Sequence, residues 1–506
     1  MLRSLGKAGQ RGLVVLVCAA FVLTGCGGGP GGGSDSGGAS DSGGASNSGG
    51  ASDSGGASNS GGASNRAADA TPQSPGPRAW AGAALIENDD QGNLLTMEPK
   101  VAIDAAGNST VVWIQQFPNT PQVVSNRFSM TSGWGTPAVI SNTVNASRPQ
   151  IASDGSGGAI AIWDQLFDGI WSSRFTPGAG WSAPEVVGAS NGPGALYPRV
   201  AFASDGTAIV VWQQGDGSRI NIWANRRTAA GWGSPTLVET SDAGYAEEPE
   251  LAVDAGGDAI VMWRQRQTSN SLGELWANNF RPGVGWGTPQ LIGTDVQALS
   301  YQLRFDGRGN ALAVWADFAN SSWAILYLAG QGWGTPFRLG PASAPRVAFD
   351  AQGNALVLWI QQDAVPNPVP CIVLTSIGGG STCPATVLRK NLWSRRHTPA
   401  DGWAQPQLVD TSDLGDVSSP AFAFDQAGNA IAVWTQRVDN LFSGVVTVWA
   451  NRYTNGTGWG TATVIQDQAT GDAMVPSVAV NAAGEAIVAW GQLDGSHANV
   501  WANRLH

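Results

Sequence analysis

Six polar and aromatic residues have the types and positions expected of a ligand site. They are Arg148, Asp164, Tyr197, Tyr245, Glu248 and Arg264. Hydrogen-bonding groups beside aromatic rings suit sugar hydroxyls or a peptide. Two carboxylates roughly 5 to 9.5 Å apart would instead suit hydrolysis of a glycosidic bond, as would a tyrosine backed by an acid. We expect ligand binding as the first function, with glycoside hydrolase or lyase chemistry at Asp164 and Glu248 as the alternative.

An internal repeat must position these residues. An apolar phrase ending in tryptophan occurs in eight copies, called repeats 1 to 8: Trp113, Trp163, Trp212, Trp263, Trp315, Trp359, Trp434 and Trp490. Nine residues before each tryptophan, six copies have aspartate, and in all eight a glycine follows three residues later. An aspartate can cap a tight turn and glycine can adopt positive φ, so the spacing predicts a β-hairpin, as at Asp350 and Gly353.

Each repeat has two further tryptophan positions. The second position opens phrases such as W-A-N-R: Val124 in repeat 1, then Trp171, Trp223, Trp276, Trp323, Trp393, Trp449 and Trp501. The third lies in G-W-G-x-P or a variant of it: Trp134, Trp181, Trp232, Trp286, Trp333, Trp403 and Trp459. Repeat 8 ends without a third position, and Trp80 supplies it from the other end of the domain. All 23 tryptophans of the chain are then placed.

Each repeat divides into four short apolar runs, which is typical of β-propeller blades. We predict an all-β fold, a single eight-bladed β-propeller of four-stranded blades over residues 76–506. An N-terminal strand near Ala84–Ile86 would complete the last blade, close the ring and remove exposed sheet edges. The apolar runs of five or six residues are shorter than the nine to eleven needed for an outer-membrane barrel.

The repeat loosely resembles sialidase-type, quinoprotein and propeller-lectin repeats. The spacings differ from those families. The sialidase Asp-box has five residues from aspartate to tryptophan, where this chain has nine, and quinoprotein blades place glycine four residues before tryptophan, whereas Gly353 precedes Trp359 by six. The resemblance covers about residues 78–506, implies architecture only and carries over no catalytic residue.

Features that recur in every repeat indicate packing. Propeller sheets splay apart with radius, so broad tryptophan side chains are expected between them toward the outside. Repeated arginines and glutamines are interpreted as structural hydrogen-bonding groups, with the turn aspartates as expected partners. They are Arg127, Arg174, Arg226, Arg396, Arg452 and Arg504, with Gln115, Gln165, Gln214, Gln265, Gln361, Gln436 and Gln492.

Function is sought where the repeats differ. The residue before the inner strand reads Glu98, Arg148, Tyr197, Glu248, Ser300, Ala344, Ser419 and Val475 in chain order. The residue after the first tryptophan is Asp164, Gln213 and Arg264 in repeats 2 to 4, against Ala316, Ile360, Thr435 and Gly491 later. Tyr245 and Glu247 belong to the same sector. The variable connections between strands emerge on this face, so we expect the site over repeats 2 to 4.

The N-terminus predicts export and a lipid anchor. Arg3, Lys7 and Arg11 precede an apolar run too short to span a bilayer comfortably, which is typical of a secretory signal over residues 1–25. The run ends in L-T-G-C at Cys26, which resembles the lipobox of bacterial lipoproteins. That resemblance implies that Cys26 is lipidated and, because Gly27 is not aspartate, that the protein resides at the outer membrane or cell surface.

Residues 26–75 contain the lipidated cysteine and a linker in which SDSGGA and SNSGGA repeat. Such a composition buries no core and predicts a flexible coil with a root-mean-square reach of about 40 Å. The linker would hold the folded part away from the membrane.

Charge and cysteine content limit the partners. The chain has a formal net charge of -11, and so acidic a protein should repel nucleic acid and anionic lipid. Cys371 and Cys383, in an insertion of repeat 6, are expected to form a disulfide. We expect no metal and no cofactor, a monomer, and a carbohydrate or envelope-protein ligand, with a role in envelope assembly as a third possibility.

Overall fold

The repeats fold into β-strands. The computed structural model describes residues 78–87, 98–117, 120–141, 145–166, 168–189, 194–240, 244–268, 271–366, 385–412, 414–438, 444–466, 471–494 and 497–506. These residues contain strands, turns and bends and no helix, so the predicted all-β class is confirmed for them. Accordingly, the described part of the chain has no helix that could cross a membrane.

The predicted hairpin turn forms as expected. In repeat 1, the Asp104 Oδ1 atom accepts the backbone N–H groups of Ala106 and Asn108 at 3.0 and 2.9 Å, while Gly107 has a φ of 79°. Repeat 3 has alanine instead of this aspartate, and there Asp205 Oδ1 accepts the Thr207 N–H at 2.8 Å. The aspartate and glycine therefore set the turn between the first two strands of a repeat.

The structure contains 38 strands among the described residues. The first nineteen are β1 (Ala84–Leu85), β2 (Lys100–Ile103), β3 (Ser109–Phe117), β4 (Thr120–Ser129), β5 (Gly133–Trp134), β6 (Ala138–Val139), β7 (Ala146–Ser153), β8 (Ala159–Gln165), β9 (Gly169–Thr176), β10 (Gly180–Trp181), β11 (Glu185–Ala189), β12 (Ala195–Phe202), β13 (Ala208–Gly215), β14 (Ile220–Thr228), β15 (Gly231–Trp232), β16 (Thr236–Leu237), β17 (Tyr245–Val253), β18 (Ala259–Arg266) and β19 (Gly273–Arg281). The others are β20 (Gly285–Trp286), β21 (Gln290–Phe305), β22 (Ala311–Asp317), β23 (Ser321–Leu328), β24 (Gly332–Trp333), β25 (Phe337–Pro341), β26 (Ser343–Phe349), β27 (Ala355–Pro366), β28 (Thr386–Thr398), β29 (Gly402–Trp403), β30 (Gln407–Leu408), β31 (Val417–Phe424), β32 (Ala430–Val438), β33 (Val445–Thr454), β34 (Gly458–Trp459), β35 (Thr463–Val464), β36 (Ala473–Val480), β37 (Ala486–Asp494) and β38 (His497–Leu505).

Each repeat forms an antiparallel meander whose fourth position consists of short segments. Repeat 1 has the order β2-β3-β4-β5, with β6 also paired to β4. Repeat 8 has the order β36-β37-β38-β1, so the N-terminal strand pairs with the C-terminal one, as Ala84 with Ala502. Repeats 3 to 5 share one sheet, because Ile220 pairs with Tyr245 and β21 runs from repeat 4 into repeat 5.

Successive repeats pack against each other through their first strands. β2, β7, β12, β17, β21, β26, β31 and β36 each contact the next in this order, and β36 also contacts β2. Among the described residues, eight buried apolar clusters each combine residues of two successive repeats. One of them joins Trp113 of repeat 1 to Ile487 and Val500 of repeat 8.

The tryptophans pack as cross-strand pairs. The first and second tryptophans of a repeat are direct partners in repeats 2 to 8, for example Trp263 with Trp276, and Trp113 pairs with Val124 in repeat 1. The packing role is thereby confirmed, but burial is greatest at the first tryptophan, on the second strand, not toward the outside. Trp263 is 1% exposed, while Trp276 and the third tryptophan, Trp286, are only partly buried.

The repeated polar groups hold this packing in register. In six repeats the first tryptophan donates its Nε1–H to the glutamine two residues later, with distances from 2.8 Å at Gln115 to 3.4 Å at Gln361. The arginines pair with turn aspartates in three repeats, as Arg127 with Asp104 at 3.2 Å. The prediction of structural hydrogen bonds is therefore confirmed for these residues.

The asparagine of W-A-N-R links successive repeats, a role that the sequence analysis missed. Its side-chain amide donates to a carbonyl in the last strand position of the preceding repeat, in repeats 1, 3, 4, 7 and 8. Asn126 of repeat 1 donates to Ile86, just after the N-terminal strand, at 2.8 Å. Because these amides are buried, the bonds tie the sheets together at fixed points.

We predict that Asn278→Asp destabilises the fold by roughly 2 kcal/mol or more. Asn278 is 1% exposed and donates to the carbonyl oxygens of Val238 and Gly287 at 2.8 and 3.1 Å, which an ionised carboxylate would repel. The measurement is the free energy of unfolding in urea. Gln290→Glu, the same chemical change at an exposed position of the same repeat, is the control and should shift it by less than about 0.5 kcal/mol. Equal effects of the two exchanges would rule out the linking role.

Candidate functional site

Three of the six predicted site residues lie on a kink in the first strand of repeats 2, 3 and 4. Arg148, Tyr197 and Glu248 have φ values of 49°, 56° and 57°, and each precedes a proline. Proline disfavours the right-handed helical region for the preceding residue, and it also lacks an N–H for the ladder. Pairing therefore skips these residues, and the register shifts from Ser147 to Gln150 in repeat 2. This bulge re-aims one side chain per repeat.

The kink occurs in other repeats with small or apolar residues. Ala344, Ser419 and Val475 have φ values of 49°, 50° and 36° and also precede proline. The assignment of Ser300 to this position in repeat 5 is wrong, because Leu299 takes the positive φ of 53°. Tyr301 stands where the other repeats have proline and pairs with Trp315, so the irregularity begins one residue earlier.

Repeats 2 and 3 bring together three of the predicted residues. The Arg148 Nη1 atom lies 3.0 Å from Asp164 Oδ2, and the Arg148 guanidinium stacks 4.5 Å from the centre of the Tyr197 ring. Ser147 Oγ donates to the same Asp164 oxygen at 2.5 Å. Arg148 keeps 36% of its side chain exposed, against 1% for Asp164. The arginine is thus the accessible group, held between a buried carboxylate and an aromatic ring.

The Asp164 carboxyl is held in an unusual state. Burial raises its pKa to about 6, although the Arg148 charge and the hydrogen bonds from Ser147 and Arg148 lower it. Its Oδ1 atom is buried and has no hydrogen-bond partner among the described residues. Near neutral pH this group can therefore change protonation state.

Repeat 4 holds the other three predicted residues in a second network. Arg264 lies 3.1 Å from Glu247 and 4.0 Å from Glu248. Arg266 donates to both Glu247 carboxylate oxygens, at 2.8 and 2.7 Å, and its guanidinium lies 5.8 Å from the centre of the Tyr245 ring. Glu247 therefore holds both arginines in place.

Backbone contacts connect these networks to the scaffold. Gln213 of repeat 3 accepts the Glu248 N–H at 2.8 Å, and Glu248 Oε2 accepts the Leu299 N–H of repeat 5 at 2.9 Å. The Tyr301 hydroxyl donates to the Glu248 carbonyl oxygen at 2.5 Å. Burial raises the pKa of Glu248, partly offset by Arg264. The kinked Glu248 backbone is thus fixed from both neighbouring repeats.

Two residues of this region were not predicted from the sequence. Arg266 and Tyr301 were not singled out, although Arg266 alternates with Arg264 on β18 and Tyr301 interrupts the proline pattern. Both signals were visible in the sequence. The formal charges of Arg148, Asp164, Glu247, Glu248, Arg264 and Arg266 sum to zero, three positive and three negative. We call these residues with Tyr197 and Tyr245 the rim site. It offers guanidinium, carboxylate and aromatic groups in fixed orientations, a combination suited to hydroxyl-rich ligands.

The three cysteines with predicted roles lie outside the described residues. Cys26 precedes residue 78, and Cys371 and Cys383 lie between residues 366 and 385. On either side of that segment, β27 and β28 form a long hairpin that pairs from Ala355 with His397 to Pro366 with Thr386. The insertion of repeat 6 therefore begins and ends on paired strands.

Comparisons with known proteins found distant likenesses to solved structures only. No family model matches it, and no curated protein does. Among solved structures, an α-L-arabinanase of Penicillium chrysogenum complexed with arabinobiose has 14% identity and a TM-score of 0.38, covering 56% of this chain and 94% of that chain. The polysaccharide lyase Uly1 has 10% identity and a TM-score of 0.40, covering 83% and 93%.

A mutant of the NanB sialidase from Streptococcus pneumoniae has 10% identity and a TM-score of 0.34, covering 84% of this chain and 70% of that chain. Likenesses at these identities and TM-scores assign neither a family nor an activity. The strand order and register described above rest on the pairing within this chain.

We predict that Asp164→Asn changes how stability depends on pH. In the native chain the carboxyl has a raised pKa of about 6 against 3.8, so ionisation costs folding free energy that is absent below pH 4 and complete above pH 6. The gain in unfolding free energy from Asp164→Asn should therefore be larger at pH 7.5 than at pH 4, by about 2 kcal/mol.

Urea unfolding at the two pH values measures this difference. Asp168→Asn, at an exposed position of the same repeat, controls for the loss of one negative charge. If the Asp164→Asn effect were the same at both pH values, the assignment of a raised pKa to Asp164 would be wrong.

Proposed function

We propose that the eight repeats form a closed eight-bladed β-propeller over residues 76–506, carried by an envelope lipoprotein that binds carbohydrate at its rim site. The closed ring is supported by the contact of β36 with β2 and by the apolar cluster between repeats 8 and 1. The pairing of β1 with β38 supports the completion of the last blade by the N-terminus. Lipidated Cys26 is the proposed membrane anchor, and the linker connects it to the propeller. The proposed location of the protein is the outer membrane or cell surface.

One observation carries the assignment of the site. The Arg148 guanidinium is stacked on Tyr197 and paired with buried Asp164. The equivalent kink positions of repeats 6 to 8 are Ala344, Ser419 and Val475, which offer no comparable groups. A scaffold that only needed the kink would not require this arginine and its partners. We infer that the polar sector of the rim has a ligand.

Carbohydrate fits this sector because its groups are prearranged. Arginine presents several N–H donors in a fixed plane and glutamate presents acceptors, so together they match the mixed donors and acceptors of sugar hydroxyls. Tyr197 and Tyr245 are partly exposed and can place an apolar ring face beside sugar C–H groups. Fixed side chains lose little conformational freedom on binding. A peptide or envelope protein is the competing ligand.

Glycoside hydrolase or lyase activity is the second candidate function. The observation that favours it is the pKa of about 6 at Asp164, which is the range of a general acid that works near neutral pH. Direct contact of Asp164 with a substrate is opposed by its burial, because the side chain is only 1% exposed. Its Oδ2 atom also already accepts hydrogen bonds from Arg148 and Ser147. Catalysis would require this carboxyl to become accessible when substrate binds.

We predict that the purified full-length chain binds glycans on an array and that Tyr197→Ala and Glu248→Ala each weaken this binding by about tenfold or more, because each removes an ordered contact group. Ser419→Ala, at the equivalent kink position of repeat 7, should bind like the native chain. Equal binding by all four proteins would remove the rim site from consideration.

Turnover separates the two candidate functions. Glycans that bind should be incubated with the native chain and with Asp164→Asn, and the products analysed by mass spectrometry. Release of product by the native chain alone would favour hydrolysis or lyase chemistry over a binding role. A blank array would favour a protein partner, tested by co-purification with envelope proteins.

A further inference from the structure

A second polar group lies deeper along the first strands and belongs neither to the rim site nor to the repeat pattern. Lys100, Arg199, Glu250 and Arg346 each stand four residues before the turn position of their repeat, and Arg304 stands two residues before Asp306. They come from repeats 1, 3, 4, 6 and 5. We call these five residues the basic inner cluster.

Hydrogen bonds hold its arginines in place. Arg199 Nε lies 2.9 Å from Glu250 Oε1. Arg304 and Arg346 each donate Nη1 to the carbonyl oxygen of the preceding residue, at 2.7 and 3.1 Å. Among the described residues, neither Arg304 nor Arg346 has a carboxylate oxygen within the 4.0 Å of an ion pair. The cluster thus contains two arginines without a carboxylate partner.

The charge of this region is positive although the chain is acidic. Lys100, Arg199, Arg304 and Arg346 contribute four positive charges, and Glu250 with Glu98, 3.9 Å from Lys100, contributes two negative charges. The sum is +2, in a chain with a formal net charge of -11. Like charges that are only partly exposed to water repel one another more strongly than fully solvated ones, so a counter-charge would stabilise this arrangement.

The side chains interact across the repeats. Burial lowers the pKa of Arg346. The charge of Glu250 acts in the opposite direction, whereas the charges of Arg304 and Arg199 lower the pKa further. Lys100 likewise has a lowered pKa, caused first by burial, with Arg199 and Arg346 adding to the effect. A lysine can respond by losing its proton, whereas an arginine stays charged in proteins. The arginine charges must therefore be balanced by something other than deprotonation.

We propose that the basic inner cluster binds a small oxyanion, a phosphate, a sulfate or a carboxylate. Planar guanidinium groups match the oxygens of such anions with two parallel hydrogen bonds. The site is reachable, because Lys100 and Arg199 keep 25% and 22% of their side chains exposed. An anion within it would neutralise the excess charge and join side chains from several repeats.

Arg304 provides the sharpest test of this site. Two residues before the turn position, every other repeat has alanine: Ala102, Ala152, Ala201, Ala252, Ala348, Ala423 and Ala479. Arg304→Ala therefore gives repeat 5 the residue that the other seven repeats accommodate. A loss of anion binding in this variant cannot be ascribed to a side chain that the fold does not tolerate.

The experiment measures the melting temperature of the full-length chain against increasing sodium sulfate, phosphate, glucuronate and glucose, with sodium chloride at matched ionic strength as the reference. We expect sulfate or phosphate to raise the melting temperature by about 2 °C or more over the chloride reference. Arg304→Ala should weaken the apparent affinity by about tenfold or more. Arg281→Ala, at an arginine that is 57% exposed, should leave the affinity unchanged.

The anions distinguish the source of the ligand. Stabilisation by sulfate and phosphate that is lost in Arg304→Ala supports a free inorganic anion, because the non-specific stabilisation that these salts give any folded protein would persist in the variant. Stabilisation by glucuronate but not by glucose supports the carboxylate of a sugar acid. Equal effects of all salts at matched ionic strength would overturn the proposal. So would an unchanged affinity in Arg304→Ala, with Arg304→Gln as the check should the alanine variant be unstable. The rim site can fail its array test without affecting these outcomes.

Discussion

The burial of one tryptophan on the second strand of each repeat is the constraint on which the rest of the structure depends. The indole must lie between two sheets to leave water, and its N–H needs a partner there. A glutamine two residues later supplies that partner in six repeats, as Gln436 does for Trp434. This bond fixes the strand register at the centre of those six repeats. Asparagines such as Asn503, which donates to Ile465, then fix each sheet to its predecessor.

Because these contacts recur, the scaffold leaves the first strands free to vary. Each first strand contacts the second strand of its own repeat, the first strands of the neighbouring repeats and, in several repeats, the second strand of the preceding repeat. Repeats 2 to 4 place charged and aromatic residues on the kink, and repeats 6 to 8 place small or apolar ones there. The difference marks one sector of one face, where the rim site combines a formal net charge of zero with two tyrosines.

The rim site and the basic inner cluster differ in electrostatic character. The carboxylates of the rim each have a nearby arginine, as Glu247 has Arg266, so that site can accept a neutral, hydroxyl-rich ligand without a large charge imbalance. The inner cluster has an excess of two positive charges and suits an anion. Tyr197 and Arg199 lie two residues apart on β12, so the two proposed sites share this strand.

The sequence by itself determined the repeat, its four strands, the turn chemistry and the sector in which polar residues collect, because each depends on residues within about fifty positions of one another. The Asp-x-x-Gly turn and the pairing of Trp263 with Trp276 follow from such local spacing. Only the tertiary structure decided that Asp164 is buried beneath Arg148 and that Leu299, not Ser300, forms the kink of repeat 5. The tertiary structure also brings Lys100, Arg199 and Arg346 close enough for electrostatic interaction. These side chains come from repeats 1, 3 and 6, and no local pattern records which distant residues meet when the sheets pack together.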